Sequence, residues 1–285
     1  MNKALTDEQV AAWNRDGFLY PFPLLSESER QECLDGLARF EGWLGSRVNE
    51  SRDLKWRTMP HITLPWVHKL ATDPRILDIV EDLIGPDIAI YTCTFFIKES
   101  NTPTLAAWHQ DSTYWGLETP IDAATAWVAL TEASPEAGCM DVLPYENGKP
   151  HQYRHRANVV KNSVNRASQV ITDPLDESRV ETMALKAGEF SLHHGQCTHR
   201  SGPNAAGHRR IGMGINYVPA WAKPIGKYRT AGMLVRGEDR WGYLEPLSPP
   251  KAELDADAIA AHEMAVTRYR ETYLEQEPLH EKMAS

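Results

Sequence analysis

Apolar residues in the first quarter of the chain recur every three or four positions, the spacing of a helix with one buried face. Two capping boxes predict helices over Asp7–Arg15 and Glu27–Trp43. A third helix is predicted to begin at Asp73-Pro74 and to end at Gly85. Its apolar positions at helical spacing are Ile76, Ile79, Val80 and Leu83.

From position 88 onward, short runs rich in β-branched and aromatic residues alternate with turns that contain Gly, Pro and Asn. Strands followed by strands, with no βαβ alternation, favour a β-sandwich or jelly roll braced by helices. A last amphipathic helix is predicted over Asp255–Glu275, and we expect it to pack on the outside. The predicted strands are Ile88–Lys98, Ala124–Thr131, Cys139–Leu143, Val180–Leu185, Glu189–His194 and Arg209–Val218.

The chain shows no internal repeat, linker or low-complexity segment. We therefore predict a single domain, mainly β with flanking helices. It would comprise a helical N-terminal part at about 1–86, a jelly-roll core at about 87–220 and a C-terminal helix at about 255–275.

Composition narrows the possible partners. With 285 residues and 42% hydrophobic positions, the chain can bury a sizeable core, and its net charge of -9 disfavours nucleic acid or an anionic membrane as a partner. It has no membrane-length apolar run and no signal-peptide core at the N-terminus. We expect a cytoplasmic protein that acts on a small-molecule substrate. Its cysteines lack C-x-x-C spacing and are predicted to be reduced thiols: Cys33, Cys93, Cys139 and Cys197.

Two separated segments carry the candidate chemistry. His109 and Asp111 are two positions apart and can present neighbouring side chains to one ion, and His199 can supply a third ligand. Two imidazoles and one carboxylate are the protein ligands of non-haem Fe(II) oxygenases. The three remaining octahedral positions are those that a co-substrate and O2 require. The sequence therefore predicts an iron site.

A second reading stays open, because an H-x-D pair also arises by chance. His193, His194 and His199 could instead form an all-histidine zinc or copper site. However, His193 and His194 are adjacent on a strand and point to opposite faces, so both cannot readily bind one ion. We expect one to hydrogen-bond near the site and the other to lie in the core or on the surface.

The last predicted strand has two distinct faces. Arg210, Gly212, Gly214 and Asn216 share one face, which fits the wall of a cavity, whereas the apolar side chains of the other face fit packing against helices. Arg210 would point inward and can pair bidentately with a carboxylate. Arg209 is predicted to be a surface charge.

An ordered set of segments resembles the phytanoyl-CoA dioxygenase family, from the first helix to Val218. That family consists of Fe(II)- and 2-oxoglutarate-dependent oxygenases with a double-stranded β-helix, a cupin-like jelly roll. Each segment alone is weak evidence, but their order is specific. The matching segments are Phe95–Lys98, Trp108–Asp111, Trp127–Leu130, Gly138–Pro144, His199-x-Ser201-x-x-Asn204 and Arg210.

The resemblance implies roles for individual residues. It implies that His109, Asp111 and His199 bind the catalytic iron, and that Arg210 binds the distal carboxylate of 2-oxoglutarate. The residues that match family positions near this co-substrate are Lys98, Trp127 and Ser201.

The resemblance fails at one segment that commonly approaches the substrate. Tyr145-Glu146-Asn147 stands where family members usually read Gly-Ser-His, so the substrate cannot be carried over. The carboxylate of Asp111 favours a hydroxylase, because halogenating relatives have a small residue at that position. The predicted reaction is hydroxylation of a C–H bond in a small polar or anionic metabolite or natural-product intermediate, with release of succinate and CO2.

The substrate-binding residues are the least determined. Tyr114, Trp115 and Trp108 either wall the pocket or pack in the core, and Asn216 lies on the cavity face of its strand. The basic segment Gly148–Arg166 contains Arg154 and is either a lid that attracts an anion or, as we favour, a solvated loop.

Two other function classes remain possible, a cupin-like metal enzyme that does not use 2-oxoglutarate and a non-catalytic sensor of a small ligand. The complete triad together with Arg210 favours the oxygenase.

Overall fold

The computed structural model describes residues 4–51, 53–118, 121–158 and 168–284. The helices are α1 Asp7–Asp16, α2 Glu27–Leu44, α3 Pro65–Ala71, α4 Pro74–Ile84 and α5 Ala256–Ala284. Short 3-10 helices cover Leu54–Arg57, Pro60–Ile62, Asp111–Tyr114, Glu146–Gly148 and Glu177–Arg179. The strands are β1 Phe18–Pro23, β2 Ile88–Lys98, β3 Ala106–His109, β4 Ala124–Ala129, β5 Met140–Leu143, β6 His155–Asn158, β7 Ser168–Ile171, β8 Glu181–Met183, β9 Glu189–His194, β10 Thr198–Ser201, β11 Arg210–Pro219, β12 Ala231–Arg236 and β13 Glu245–Pro246.

The three predicted N-terminal helices begin where their caps indicate. Thr6 and Ser26 each accept a hydrogen bond from the backbone N–H three residues later, within complete capping boxes, and Asp73 caps α4. Glycines follow the last residues of all three helices. These predictions were correct to within one residue at either end.

The strands form two main sheets, and the predicted jelly roll is confirmed. The large sheet has the order β1-β9-β4-β11-β2-β12-β13, and the small sheet has the order β3-β10-β5-β8. Side chains from both sheets line one cavity between them. The pairs that build the site are antiparallel, which is the arrangement expected of a jelly roll.

The helices cover the outer face of the large sheet. As predicted, the apolar face of β11 packs into the main hydrophobic cluster, together with residues of α2 and α4. The fully buried members on β11 and β2 include Phe95, Met213, Ile215 and Tyr217. The inner face of the same sheet is therefore left to line the cavity.

A β-bulge in β2 decides which residues reach that inner face. Asn216 pairs with Thr92, but the next residue of β11, Tyr217, pairs with Ile90, so Tyr91 is an extra residue. A bulge of this kind shifts the alternation of side chains between the two faces. Thr92 lies before the shift, so it stays on the side of Thr94 and Phe96 and pairs with Asn216 on the inner face.

The sheet and the last helix extend beyond the predicted boundaries. β1 pairs with β9 at one edge, and β12 pairs with β2 near the other, so strands outside 87–220 belong to the large sheet. Helix α5 continues to Ala284 past the predicted end at Glu275, although it contains Pro278. Among the described residues, no helix is long and apolar enough to cross a membrane.

Candidate metal centre

Two histidines face each other across neighbouring strands. His109 ends β3 and is the direct register partner of His199 on β10. Residues directly opposite in an antiparallel pair project to the same side, and the two imidazole centroids are 4.2 Å apart. Both side chains are buried. The pairing of the two strands thus brings together residues that are far apart in the sequence.

Asp111 completes a cluster of three potential ligands. It begins the 3-10 turn directly after β3, and its Oδ1 lies 3.8 Å from Nε2 of His109 and 3.7 Å from Nε2 of His199. One ligand atom from each of the three residues lies within 4.8 Å of the others. The sequence-predicted triad is therefore assembled in space.

The strand backbone fixes the orientation of both imidazoles. Nδ1 of His109 donates to the carbonyl of Ala107 at 2.7 Å, and Nδ1 of His199 donates to the carbonyl of Cys197 at 3.0 Å. A carbonyl can only accept, so the proton stays on Nδ1 and the lone pair of Nε2 points at Asp111. Burial lowers the pKa of both histidines, which keeps them in the neutral form that binds metals.

The second oxygen of Asp111 is also held. Its Oδ2 lies 3.3 Å from Nε2 of His193 and accepts a hydrogen bond from Oγ1 of Thr125 at 3.1 Å. Burial alone would favour the protonated acid. The hydrogen bond from His193 and the field of the surrounding imidazoles outweigh burial, and hold the pKa of Asp111 below its usual range.

One buried residue from each of four adjacent strands forms a chain that ends at Asp111, here called the polar row. Thr92, Asn216, Thr125 and His193 are register neighbours across β2, β11, β4 and β9. The Thr92 hydroxyl donates to Oδ1 of Asn216 at 2.5 Å, and Nδ2 of Asn216 donates to Oγ1 of Thr125 at 2.7 Å. Each donor in this part of the polar row thus points towards the carboxylate.

The adjacent residues His193 and His194 point to different surroundings, as expected. His193 contacts Asp111, whereas His194 packs edge-on against Trp13 and Tyr145 in the core. The all-histidine site is therefore not formed by these side chains. Cys197 is fully buried.

The first cavity lies between the sheets, beside the metal ligands, and contains a buried guanidinium. Arg210 stacks over the ring of Trp127, with 5.1 Å from Cζ to the ring centroid, and donates from Nη1 to the carbonyl of Gly138 at 2.6 Å. Its Nε has no hydrogen-bond partner among the described residues. Burial lowers its pKa to about 10, so the group stays charged at neutral pH. A buried cation with an unpaired donor fits a carboxylate ligand.

Gly212 leaves space for the indole ring of Trp127, which lines the first cavity. A Cβ at this position would lie 2.0 Å from Cζ2 of Trp127, so any other residue would displace the indole. Ser201, on the same face of β10 as His199, also lines this cavity. The glycines noted in the sequence thus mark a place where an aromatic ring crosses the strand.

Lys98 lies behind the first cavity. Its Nζ donates to Oγ of Ser201 at 2.8 Å and to the carbonyl of Gly202. Burial, followed by repulsion from Arg210, lowers the pKa of Lys98 to about 6, so the amine is mostly neutral at pH 7. Lys98 therefore contacts Ser201, which lines the first cavity, but Lys98 does not line this cavity itself.

A second cavity adjoins the first and shares Phe96 and Asp111 with it. Tyr114, Trp115 and Asn216 line it. Trp115 is only 2% exposed and serves the core as well. The remaining wall comes from segments that the sequence analysis did not assign to the site, and its main residues are Arg57, Tyr269, Arg270 and Tyr273.

Helix α5 is attached to the loop that carries Asp111, which corrects the expectation that it packs on the outside. Oε1 of Gln276 accepts from the Gly116 N–H at 2.7 Å, and its Nε2 donates to the Ser112 carbonyl at 3.0 Å. The rings of Tyr273 and Tyr114 stack at 5.9 Å. The buried face of α5 includes polar side chains, so hydrophobic periodicity alone did not reveal it. Its buried stripe repeats every four and three residues and comprises Ala258, His262, Ala265, Thr272 and Gln276, together with the partly buried Tyr269.

Two predicted substrate residues lie away from both cavities. Trp108 precedes His109 on β3, so its ring points to the opposite face, where Arg200 lies 4.5 Å above it. Arg154 forms an ion pair with Asp173, with 2.6 Å between Nε and Oδ1. Neither residue lines a cavity of the site.

The described part of the basic segment Gly148–Arg166 is fastened beside the metal ligands. The Gln110 side chain donates to the His151 carbonyl at 2.6 Å, and Nε2 of the buried His155 accepts from the Gln110 N–H at 3.2 Å. Lys161 and Arg166 lie outside the described residues. The lid function stays a prediction, but it loses support from Arg154, whose charge is already paired.

Two further side chains differ from their expected surroundings. Arg209 is paired with Glu41 and Glu99 and is about four-fifths buried, so it is an internal ion pair and not a free surface charge. Tyr145, where the sequence departs from the family pattern, packs against Gly17 and His194 and enters neither cavity.

Comparison with known proteins yields a family and several relatives. The profile of the phytanoyl-CoA dioxygenase family matches residues 13–212. A probable alpha-ketoglutarate-dependent hypophosphite dioxygenase from Stutzerimonas stutzeri is 28% identical over 58% of this chain and 57% of its own length. This match thus spans little more than half of that relative. A methylphosphonate hydroxylase from Gimesia maris is 25% identical over 76% of this chain and 82% of its own length.

Among solved structures, the non-heme monooxygenase ThoJ in its apo form has a TM-score of 0.81 and 27% identity, covering 94% of this chain and 98% of its own. The nickel complex of the same protein has a TM-score of 0.77 and 26% identity, covering 94% of this chain and 99% of its own.

Proposed function

This chain belongs to the phytanoyl-CoA dioxygenase family, and on that premise we propose that it is an Fe(II)- and 2-oxoglutarate-dependent oxygenase. Its reaction is the hydroxylation of a C–H bond in a small polar or anionic molecule. The relatives named for hypophosphite and methylphosphonate support a small substrate of this type. The carboxylate of Asp111 supports hydroxylation, because it occupies a position that a halide would need.

The observation that carries the proposal is the pairing of a metal cluster with a buried cation. The ligand atoms of His109, Asp111 and His199 lie within 4.8 Å of one another, and their side chains line the same cavity as Arg210. A metal site without a co-substrate has no need for a buried guanidinium that lacks a carboxylate partner. Iron held here would supply the activation of O2, with electrons taken from 2-oxoglutarate as it becomes succinate and CO2.

The residues of the chain would bind, orient and exclude water. His109, Asp111 and His199 would hold the metal beside the first cavity. Arg210, stacked on Trp127, orients the far carboxylate of 2-oxoglutarate, and Ser201 offers a hydroxyl beside it. The apolar walls keep water away from the reacting groups.

The direct test is anaerobic reconstitution with Fe(II), followed by titration with 2-oxoglutarate and observation of the visible metal-to-ligand charge-transfer band. We expect the band in the wild type and not in His109→Ala. A matched control is His208→Ala, since that imidazole bonds to the Glu132 carbonyl away from the site and its loss should leave the band intact. Folded, iron-loaded wild-type protein without the band would overturn the proposal.

Succinate formation separates the remaining alternatives. A cupin-like metal enzyme that does not use 2-oxoglutarate would bind iron but show neither the band nor succinate. A sensor would show the band but produce no succinate beyond the slow background seen without substrate. Arg210 and the complete triad favour the oxygenase over both.

A further inference from the structure

The second cavity is marked by its charged groups. Among its lining residues, Asp111 is the carboxylate, and it is already assigned to the metal, whereas Arg57 and Arg270 are cations. Neither arginine lines the first cavity, where Arg210 lies. Two guanidinium groups beside a metal site create a positive field in a protein whose net charge is -9.

We propose that the second cavity binds the substrate as an organic oxyanion, with Arg270 of α5 holding its negative group. The inference rests on the proposed function, because it requires the carbon to be oxidised to lie beside Asp111. It names a substrate class and the residues that select it. The anion-binding side of the cavity is separate from the 2-oxoglutarate side.

Packing between two segments brings the arginines into one wall. The 3-10 helix Leu54–Arg57 is docked on α5, because the Trp56 ring stacks on His262 at 5.0 Å and Nε2 of His262 lies 2.7 Å from the Thr58 carbonyl. Nζ of Lys55 also pairs with Glu263 at 2.8 Å. On α5, these three contacts involve His262 and Glu263, which lie about two turns before Arg270. They fix the position of Arg57 relative to Arg270.

Arg270 is placed to receive an anion. It follows Tyr269, a member of the buried stripe of α5, and its own side chain lines the cavity while remaining exposed to solvent. Its neighbour Arg268 lies outside the cavity and contacts Glu271 at 3.7 Å. Among the described residues, no carboxylate lies within 4 Å of Arg270, so it can pair with an anion at low cost.

The other polar side chains of the cavity are already engaged. Thr92 and Asn216 hydrogen-bond within the polar row. The hydroxyl of Tyr114 accepts from the Gln169 N–H at 2.9 Å, and the hydroxyl of Tyr273 accepts from Nε2 of Gln169 at 3.2 Å. Recognition of a polar group therefore falls mainly to Arg270. The aromatic side chains of the cavity would contact the organic part of the substrate.

The test uses phenylphosphonate as the probe and its neutral diethyl ester as the matched comparison. Calorimetry is done anaerobically on the Fe(II)-loaded protein in saturating 2-oxoglutarate, so that Arg210 is already occupied. We expect the phosphonate to bind the wild type, and Arg270→Gln to weaken binding at least about tenfold. Arg268→Gln, which removes the same charge from the same helix, should bind as the wild type does.

Three results would overturn the inference. They are the absence of phosphonate binding to the wild type, equal binding of the phosphonate and its ester, and equal binding by Arg270→Gln and the wild type. Failure of the proposed function gives a different result, because the charge-transfer band would then be missing in the wild type while calorimetry still reports on the anion site. In the iron-loaded protein, we expect phosphonate to perturb the band in Arg268→Gln and not in Arg270→Gln at the same concentration.

Discussion

The two ends of the joined cavities are built by different means. At the metal end, the candidate ligands and the side chains that hydrogen-bond to Asp111 come from strands or from the turn that follows one, and strand register fixes their positions. At the other end, much of the wall comes from α5, which lies beyond residues 13–212 that match the family. The difference separates two tasks. In the proposals above, the sheets would hold the groups that carry out the oxidation, and α5 would hold a group that selects what is oxidised.

Substitution of Arg210 is expected to have the largest effect at the metal end. Replacing it with Leu removes the buried charge that we propose binds 2-oxoglutarate, and we expect the apparent affinity for this co-substrate to fall roughly 100-fold. The measurement is the midpoint of the charge-transfer titration. Arg209→Lys is the control, since its side chain faces the helices and pairs with Glu41. Equal midpoints for Arg210→Leu and the wild type would show that the guanidinium does not bind the co-substrate.

The polar row gives a smaller effect at the same end. Thr125→Val keeps the shape of the side chain but removes the hydrogen bond to Oδ2 of Asp111. Loss of such a support around a metal ligand weakens metal binding by roughly tenfold. Thr125→Ser retains the hydroxyl and should restore most of the Fe(II) affinity. If Val and Ser variants bind Fe(II) alike, the hydroxyl contributes nothing to the orientation of Asp111.

Gln276 tests how firmly the helical wall is joined to the metal end. Gln276→Ala leaves the Gly116 N–H and the Ser112 carbonyl without their partner, and we expect the free energy of unfolding to fall by about 1 kcal/mol. The measurement is chemical denaturation of the metal-free protein. Leu274→Ala, on the exposed side of α5, should change it by less than about 0.5 kcal/mol. Similar losses in both variants would mean that the link is not specific.

Acid should destabilise the helical side through His61. His61 lies in the 3-10 helix that packs against α5, and burial, together with repulsion from His68 and His262, lowers its pKa to about 3. The unfolded value is near 6.5, so the unfolded chain binds more protons between pH 6.5 and 3. Stability is therefore expected to fall as the pH drops through that window. His61→Leu should flatten this slope in pH-dependent denaturation, and an unchanged slope would exclude His61 as its source.

Several features could be predicted from the sequence because each has a local signature. At the metal end, the spacing of His109 and Asp111 marks one ligand segment. Elsewhere, the caps at Thr6 and Ser26 set the starts of two helices. The alternation along β11 correctly separated Arg210 and Asn216 from the apolar face. The prediction did not require knowledge of the tertiary packing.

The remaining features depend on contacts that no short segment contains. The buried stripe of α5 includes His262, Thr272 and Gln276, which a hydrophobic pattern treats as exposed positions. The bulge at Tyr91 is visible only once β2 is paired with β11. Trp108 was considered for the pocket because it precedes a ligand, yet strand alternation turns it away.

The polar row also links folding to the metal. A slip of one residue in any of its four strands would turn that strand's member to the opposite face, so the complete ligand environment exists only in the correctly paired sheet. An ion that binds this state and not misregistered ones adds its binding free energy to the native form alone. Iron supply would then influence how much of the chain survives cellular quality control, in addition to how fast it turns over substrate.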